Sequence, residues 1–224
     1  MHPAFSLVVF DLDGTLIDSR RDIAESANAV LEECGCQPHP EEVIGGMVGD
    51  GAAMLIARAF AAASQPAPPD ALDRFLRVYG ARLLRFTRPY PGIAEMLEHL
   101  LPRATLAVLT NKPLAATRTI LEQLDLARFF GDRVLGGDGP LPRKPDPAGL
   151  IQLMARAGAS GARTLMVGDS LVDLHTAKAA GASACLARYG FGFREVPAGD
   201  LRPDDRVIDR PLDLISRGWP GRTV

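Results

Sequence analysis

The pattern begins with Leu7-Val8-Val9-Phe10, four apolar residues in a row. An unbroken apolar run of this length marks a strand buried on both faces of a parallel sheet. It stops at Asp11-Leu12-Asp13-Gly14-Thr15, where charge and glycine call for a turn. Ser19 and Asp22 stand at capping-box spacing and predict the start of a helix. Ile23, Ala27, Val30 and Leu31 recur at helical spacing, and Gly35 supplies a stop. From there to Arg88 the pattern holds no convincing strand. Residues 51–63 and 70–86 read as helices, separated by Gln65-Pro66-Ala67-Pro68-Pro69. An all-helical stretch placed after a first strand predicts a small inserted domain.

After Pro91-Gly92 strands and helices alternate. Residues 93–101 read as a helix, 105–109 as a strand, and 113–124 as a helix with Pro113 at its first position. A short strand falls at Val134-Leu135, a helix at 147–157, a strand at 164–167 and a helix at 171–180 closed by Gly181. Weaker strands follow at 184–186 and 206–208, and the tail after Arg217 is expected to be loosely ordered. The fold class is therefore α/β, a Rossmann-like parallel sheet with right-handed crossovers and a small helical insert. The expected boundaries are 1–18 and 89–224 for the core and 19–88 for the insert.

Ligands of open α/β sheets bind outside the carboxyl ends of the strands, so what each strand delivers there is the test. The first delivers Asp11 and Asp13, and the second Thr110 and Asn111. The loop after the third carries Lys144. The fourth delivers Asp169, with Ser170 and Asp173 on the next helical turn. Taken singly, each has an ordinary reading as a turn, a helix cap or a solvated charge. Together they bring carboxylates, a hydroxyl, an amide and an ammonium to one edge. Crowded carboxylates repel unless a cation sits among them, and a hard oxygen-loving ion, Mg²⁺ above all, suits them. A carboxylate is also a nucleophile toward phosphorus, and phosphoryl transfer needs donors such as Thr110 and Lys144.

Composition narrows the partners. The 25 basic and 27 acidic side chains give a net charge of −2, which offers no footprint for nucleic acid or anionic lipid. At 6% aromatic the chain is poor in base-stacking platforms, while 47% apolar and 23% charged is ordinary globular usage. The longest early apolar run is too short to span a membrane and lacks a basic flank, so a cytoplasmic protein is expected. Cys34, Cys36 and Cys185 read as reduced thiols. His2, His39, His99 and His175 are scattered, and phosphate-loop, serine-hydrolase and zinc-protease motifs are missing from the sequence. The glycine-rich run from Gly45 to Gly51 reads as a flexible turn of the insert facing the active site.

Four segments, taken in order, resemble the four motifs of the haloacid dehalogenase superfamily. They are Phe10-Asp11-Leu12-Asp13-Gly14-Thr15-Leu16, Leu109-Thr110-Asn111-Lys112-Pro113, Lys144-Pro145-Asp146-Pro147, and Val167-Gly168-Asp169-Ser170 with Asp173. The insert is similar to the small cap domain of one subgroup. Thr-Asn-Lys-Pro, Pro91-Gly92 and Val48-Gly49-Asp50-Gly51-Ala52 are most similar to its phosphoglycolate phosphatases. The resemblance implies a Mg²⁺-dependent phosphatase of a small phosphorylated metabolite, with 2-phosphoglycolate favoured. It implies Asp11 as nucleophile and metal ligand, and Asp13 as acid and then base, its carbonyl touching the metal. Thr110 and Asn111 would hold the phosphoryl oxygens, Lys144 would neutralise charge, and Asp169 and Asp173 would complete the metal shell. Arg58 in the cap is the candidate for the substrate carboxylate. Other phosphatases of sugar phosphates, nucleotides or pyrophosphate, and phosphosugar mutases, share these motifs. A phospho-accepting receiver module is the alternative from another class. The oligomeric state stays open.

Overall fold

A computed structural model describes residues 5–193, 196–203 and 205–216; the tail after Arg217 lies outside the described residues. In chain order the strands are β1 (Leu7–Phe10), β2 (Ile17–Asp18), β3 (Arg88–Pro89), β4 (Thr105–Leu109), β5 (Val134–Leu135), β6 (Thr164–Gly168), β7 (Ser183–Ala187) and β8 (Arg206–Ile208). The helices are α1 (Arg20–Glu33), α2 (Glu41–Gly45), α3 (Ala52–Ala62), α4 (Ala71–Gly80), α5 (Ile93–Leu100), α6 (Leu114–Gln123), α7 (Ala127–Phe130), α8 (Ala148–Ala157), α9 (Leu171–Ala179) and α10 (Asp213–Ser216). Six strands form one parallel sheet in the order β5-β4-β1-β6-β7-β8. No helix among the described residues is long and apolar enough to cross a membrane.

The central place of β1 explains its unbroken apolar run. Side chains alternate across a strand, so Leu7 and Val9 enter one apolar layer and Val8 and Phe10 the other. The first layer gathers α8 and α9 through Leu150, Leu153 and Leu174. The second gathers α5 and the Phe129-Phe130 pair of α7. Each such side chain contributes about 1.5–3 kcal/mol by leaving water.

Helices α1 to α4 build a separate apolar cluster around Ile23, Val30, Leu55, Phe60 and Phe75. The chain enters this segment from β2 and leaves it through β3, and these two pair as a short antiparallel ribbon. Next to the ribbon, Asp22 Oδ2 accepts hydrogen bonds from Phe86 N (2.9 Å), Thr87 N (2.8 Å) and Thr87 Oγ1 (2.7 Å). One buried carboxylate thus ties the entry of the segment to its exit.

Several local expectations change. Ser19 and Asp22 do not form a capping box, because Ser19 Oγ donates to Asp13 and Asp22 serves Thr87. The helix expected over 70–86 ends at Gly80, and the chain then turns toward β3. Pro113 is the residue before α6 rather than its first helical position. The α2 turn and the two-residue strands β2 and β3 add to the expected elements.

Candidate active site

From β1 the sheet is built outward to β4 and β5 on one side and to β6, β7 and β8 on the other. The crevice at such a reversal, beyond the strands' carboxyl ends, is the general ligand position in open α/β sheets. Asp11 leaves β1 with its N–H on Val167 O (2.8 Å). Leu12 O then accepts from Leu16 N (2.9 Å) and Ile17 N (3.1 Å), closing a tight turn that keeps Asp13 beside Asp11. Gly14 makes the turn possible. Its φ is +83°, and a Cβ there would lie 2.1 Å from Asp169 Oδ2. A Cβ on Gly168 would likewise meet Asp173 Cγ at 2.1 Å.

The first layer of the site is acidic. Lys144 Nζ lies 2.8 Å from Asp11 Oδ1 and 2.6 Å from Asp173 Oδ1, with all three side chains buried. Asp173 Oδ2 also accepts from Ser170 N (3.1 Å) and Ser170 Oγ (2.7 Å). Asp169 Oδ2 accepts from Gly192 N at 2.8 Å. Burial pushes the Asp11 carboxyl up to about 6, against the pull of Lys144 and with the push of Asp173. Burial, then Asp173 and Asp11, hold Asp169 well above the usual carboxylate range. Burial opposes the charge on Lys144, yet Asp11 and Asp173 outweigh it and keep the ammonium above the ordinary lysine range.

Asp11, Asp169 and Asp173 each offer one oxygen within 4.8 Å of the others. Three buried carboxylates around one ammonium are an unrelieved concentration of negative charge. A hard divalent cation with oxygen ligands fits this donor set.

The second layer lies nearer the helical segment. Lys112 Nζ is 2.9 and 3.0 Å from the two oxygens of Asp13 and 2.6 Å from Tyr79 Oη. Asp13 also accepts from Ser19 Oγ at 2.5 Å. Burial works against the Lys112 charge, but Asp13 and Tyr79 prevail and hold its ammonium above the ordinary range. Burial pushes the Tyr79 hydroxyl up to about 12, with Lys112 pulling the other way. Neither Lys112 nor Tyr79 is among the site residues expected from the sequence. The signal for Lys112 was its place in the Thr110-Asn111-Lys112-Pro113 segment, one residue beyond the candidates.

The remaining candidates are placed as follows. Thr110 is buried at the cavity wall, its Oγ1 accepting from Lys112 N at 3.2 Å. The Asn111 side chain is fully engaged, contrary to its expected use on phosphate. Its Nδ2 donates to Gly49 O (2.8 Å) and Lys144 O (2.9 Å), and its Oδ1 accepts from Lys144 N (2.9 Å). It therefore positions Lys144 and joins the sheet edge to the glycine turn of the insert. That turn does face the site, since Val48, Gly49 and Gly51 line the cavity. Arg58 does not. It is paired with Asp50 at 2.5 Å, donates to Met47 O at 3.2 Å, and is not among the residues lining the cavity.

The cavity between the two regions has a volume of about 270 Å³. Its floor carries Asp11, Asp13, Thr110, Lys112 and Asp169, and its roof Ile23, Leu55, Phe75, Leu76, Tyr79 and Leu83.

Comparison with known proteins gives this geometry its relatives. Residues 8–187 match the family model described as haloacid dehalogenase-like hydrolase. A phosphoglycolate phosphatase of Rhodospirillum rubrum is 42% identical over 198 residues, covering 84% of this chain and 82% of that protein. One from Agrobacterium fabrum is 37% identical over 214 residues, covering 92% and 90%. Among solved structures, a protein of Haemophilus somnus described as a predicted phosphoglycolate phosphatase superposes with a TM-score of 0.85 at 31% identity. That match covers 95% of this chain and 97% of the other. These matches leave no place for the receiver-module reading. The chain belongs to the haloacid dehalogenase-like hydrolase family, in which it is a phosphatase.

Proposed function

We propose that the chain hydrolyses a small phosphomonoester, 2-phosphoglycolate by preference, through an aspartyl-phosphate on Asp11. The observation that carries this reading is the placement of Asp11 and Asp13, two carboxylates of one turn with different partners. Asp11 stands against Lys144 among the acids that would hold Mg²⁺, and Asp13 stands at the cavity against Lys112. The names of the relatives support the substrate.

In this reading an Asp11 carboxylate oxygen attacks phosphorus. The new O–P bond forms as the ester P–O bond breaks, and Asp13 gives its proton to the departing alkoxide. Asp13 then takes a proton from water as the water oxygen attacks the phosphorus of the acyl phosphate. The Asp11 O–P bond breaks, returning the carboxylate and releasing phosphate. Thr110 and nearby backbone N–H groups hold the phosphoryl oxygens, and Lys144 balances charge on Asp11. Mg²⁺, held by Asp11, Asp169, Asp173 and the Asp13 carbonyl, would neutralise charge on the phosphoryl group. Residues 19–88 act as a cap, and the small roofed cavity suits a metabolite of few carbons. Three free cysteines fit a reducing cytoplasm.

The test is kcat/KM with Mg²⁺ across 2-phosphoglycolate, glycerol phosphate, hexose phosphates, nucleotides and pyrophosphate, together with the Asp11→Asn variant. A preference of about a hundredfold for phosphoglycolate, on the order of 2.7 kcal/mol, is expected. Asp11→Asn should abolish both turnover and the trapped acyl phosphate. Full activity in that variant removes the mechanism, and a flat profile removes the substrate.

A further inference from the structure

We propose that Lys112 and Tyr79 together form the receptor for a second anionic group of the substrate, next to the ester being cleaved. The proposal rests on the phosphatase reading of Asp11 and Asp13. Among the described residues that line the cavity, Lys112 is the sole cation. The roof is otherwise apolar, and an anion brought under it without a partner would lose its hydration uncompensated. Lys112 Nζ touches both oxygens of Asp13, the group assigned to the ester oxygen, so its ammonium lies within one or two carbons' reach of that oxygen.

Tyr79 completes the receptor from the other side. Its hydroxyl accepts from Lys112 at 2.6 Å, and its own O–H has no acceptor among the described residues. The ring is held by stacking on Phe75, with centroids 5.6 Å apart and planes at 4°. With the two Asp13 oxygens sharing one N–H and Tyr79 taking a second, the ammonium's third N–H and the Tyr79 O–H are two donors at one wall of the cavity, a pairing that suits a carboxylate. Lys112 comes from the sheet edge after β4 and Tyr79 from α4, so the receptor exists only while the helical segment lies over the sheet. An anionic arm on the substrate would thereby be read together with closure.

The experiment compares 2-phosphoglycolate with 2-hydroxyethyl phosphate, which has the same length and an alcohol in place of the carboxylate. Wild type should favour the anionic ester by about a hundredfold in kcat/KM. Lys112 also touches Asp13, so Lys112→Met is expected to slow both esters, and the ratio between them is the readout. That ratio should collapse toward unity in Lys112→Met and recover in part in Lys112→Arg. Tyr79→Phe keeps the ring and should lower the ratio severalfold, mainly by raising KM for the anionic ester. A ratio unchanged in both Lys112→Met and Tyr79→Phe would overturn the receptor, whatever happens to overall rate. Wild-type preference for the alcohol ester would overturn it while leaving the phosphatase reading intact. Wild type inactive on every phosphoester of the wider panel would remove that reading and the receptor with it.

Discussion

The floor and the roof of the cavity are built on opposite principles. The floor is a dense polar lattice: Asp11, Asp173 and Lys144 share short contacts, and Asn111 uses every polar atom of its side chain. The roof is apolar except for one hydroxyl, and its charged neighbour Arg58 is turned to Asp50. Satisfied buried networks are rigid and specify one arrangement, whereas an apolar surface tolerates exchange of side chains. The contrast separates two tasks. On the proposed function, chemistry falls to the floor, which the parallel strands hold in place, and selection to the few polar groups reaching down from or toward the roof.

The floor should break hardest when the ammonium between Asp11 and Asp173 is lost. Lys144→Met leaves Asp11 and Asp173 buried against each other, and removing one partner of a buried pair costs on the order of 3–5 kcal/mol. Proton uptake by Asp11, whose carboxyl burial already raises, would soften that loss as pH falls. The expected outcome is a lower denaturant midpoint, most marked above pH 6, and a fall of at least about a thousandfold in turnover. Unchanged stability at neutral pH would show that Lys144 does not hold the buried acids together.

A milder probe leaves the sequence alone. The folded state raises the Asp11 carboxyl from 3.8 to about 6, so between these values it binds more protons than the unfolded chain. Stability of the metal-free protein should therefore be fullest below about pH 4 with respect to this group and fall as pH rises to 6. Two units amount to about 3 kcal/mol at most, and the raised Asp169 carboxyl acts in the same direction. A divalent cation should restore the loss, with a gain in melting temperature that grows above pH 6. A gain independent of pH would argue against the acids as the metal's ligands.

The same division explains what could be read from the sequence. Strand ends are local features, so the apolar runs before Asp11, Thr110 and Asp169 located most of the floor. Lys112 escaped because its meaning depends on Asp13, 99 residues away, and on Tyr79, 33 residues away. Tyr79 itself carries the signature of any buried aromatic on an amphipathic helix. The Ser19 and Asp22 capping box failed for a related reason. Both side chains are taken by partners outside the helix start, Asp13 six residues back across the turn for one and Thr87 65 residues on for the other, which capping-box spacing cannot register. Strands β2 and β3 hold two residues each and leave no period to detect.

Arg58 gives the smallest and most discriminating effect. A cap arginine is the natural candidate for a substrate carboxylate, and by charge alone it rivals Lys112. The geometry separates them: Arg58 is 40% exposed and paired with Asp50, whereas Lys112 is buried at the cavity against Asp13 and Tyr79. An exposed pair of this kind contributes roughly 0–1 kcal/mol, so Arg58→Ala should shift the melting temperature by no more than a few degrees. Its ratio of kcat/KM for 2-phosphoglycolate over 2-hydroxyethyl phosphate should match that of wild type. A selective fall for the anionic ester in Arg58→Ala would mean that the guanidinium leaves Asp50 and enters the cavity during turnover. Selection would then reside in a moving side chain of the roof rather than in the fixed ammonium at its edge.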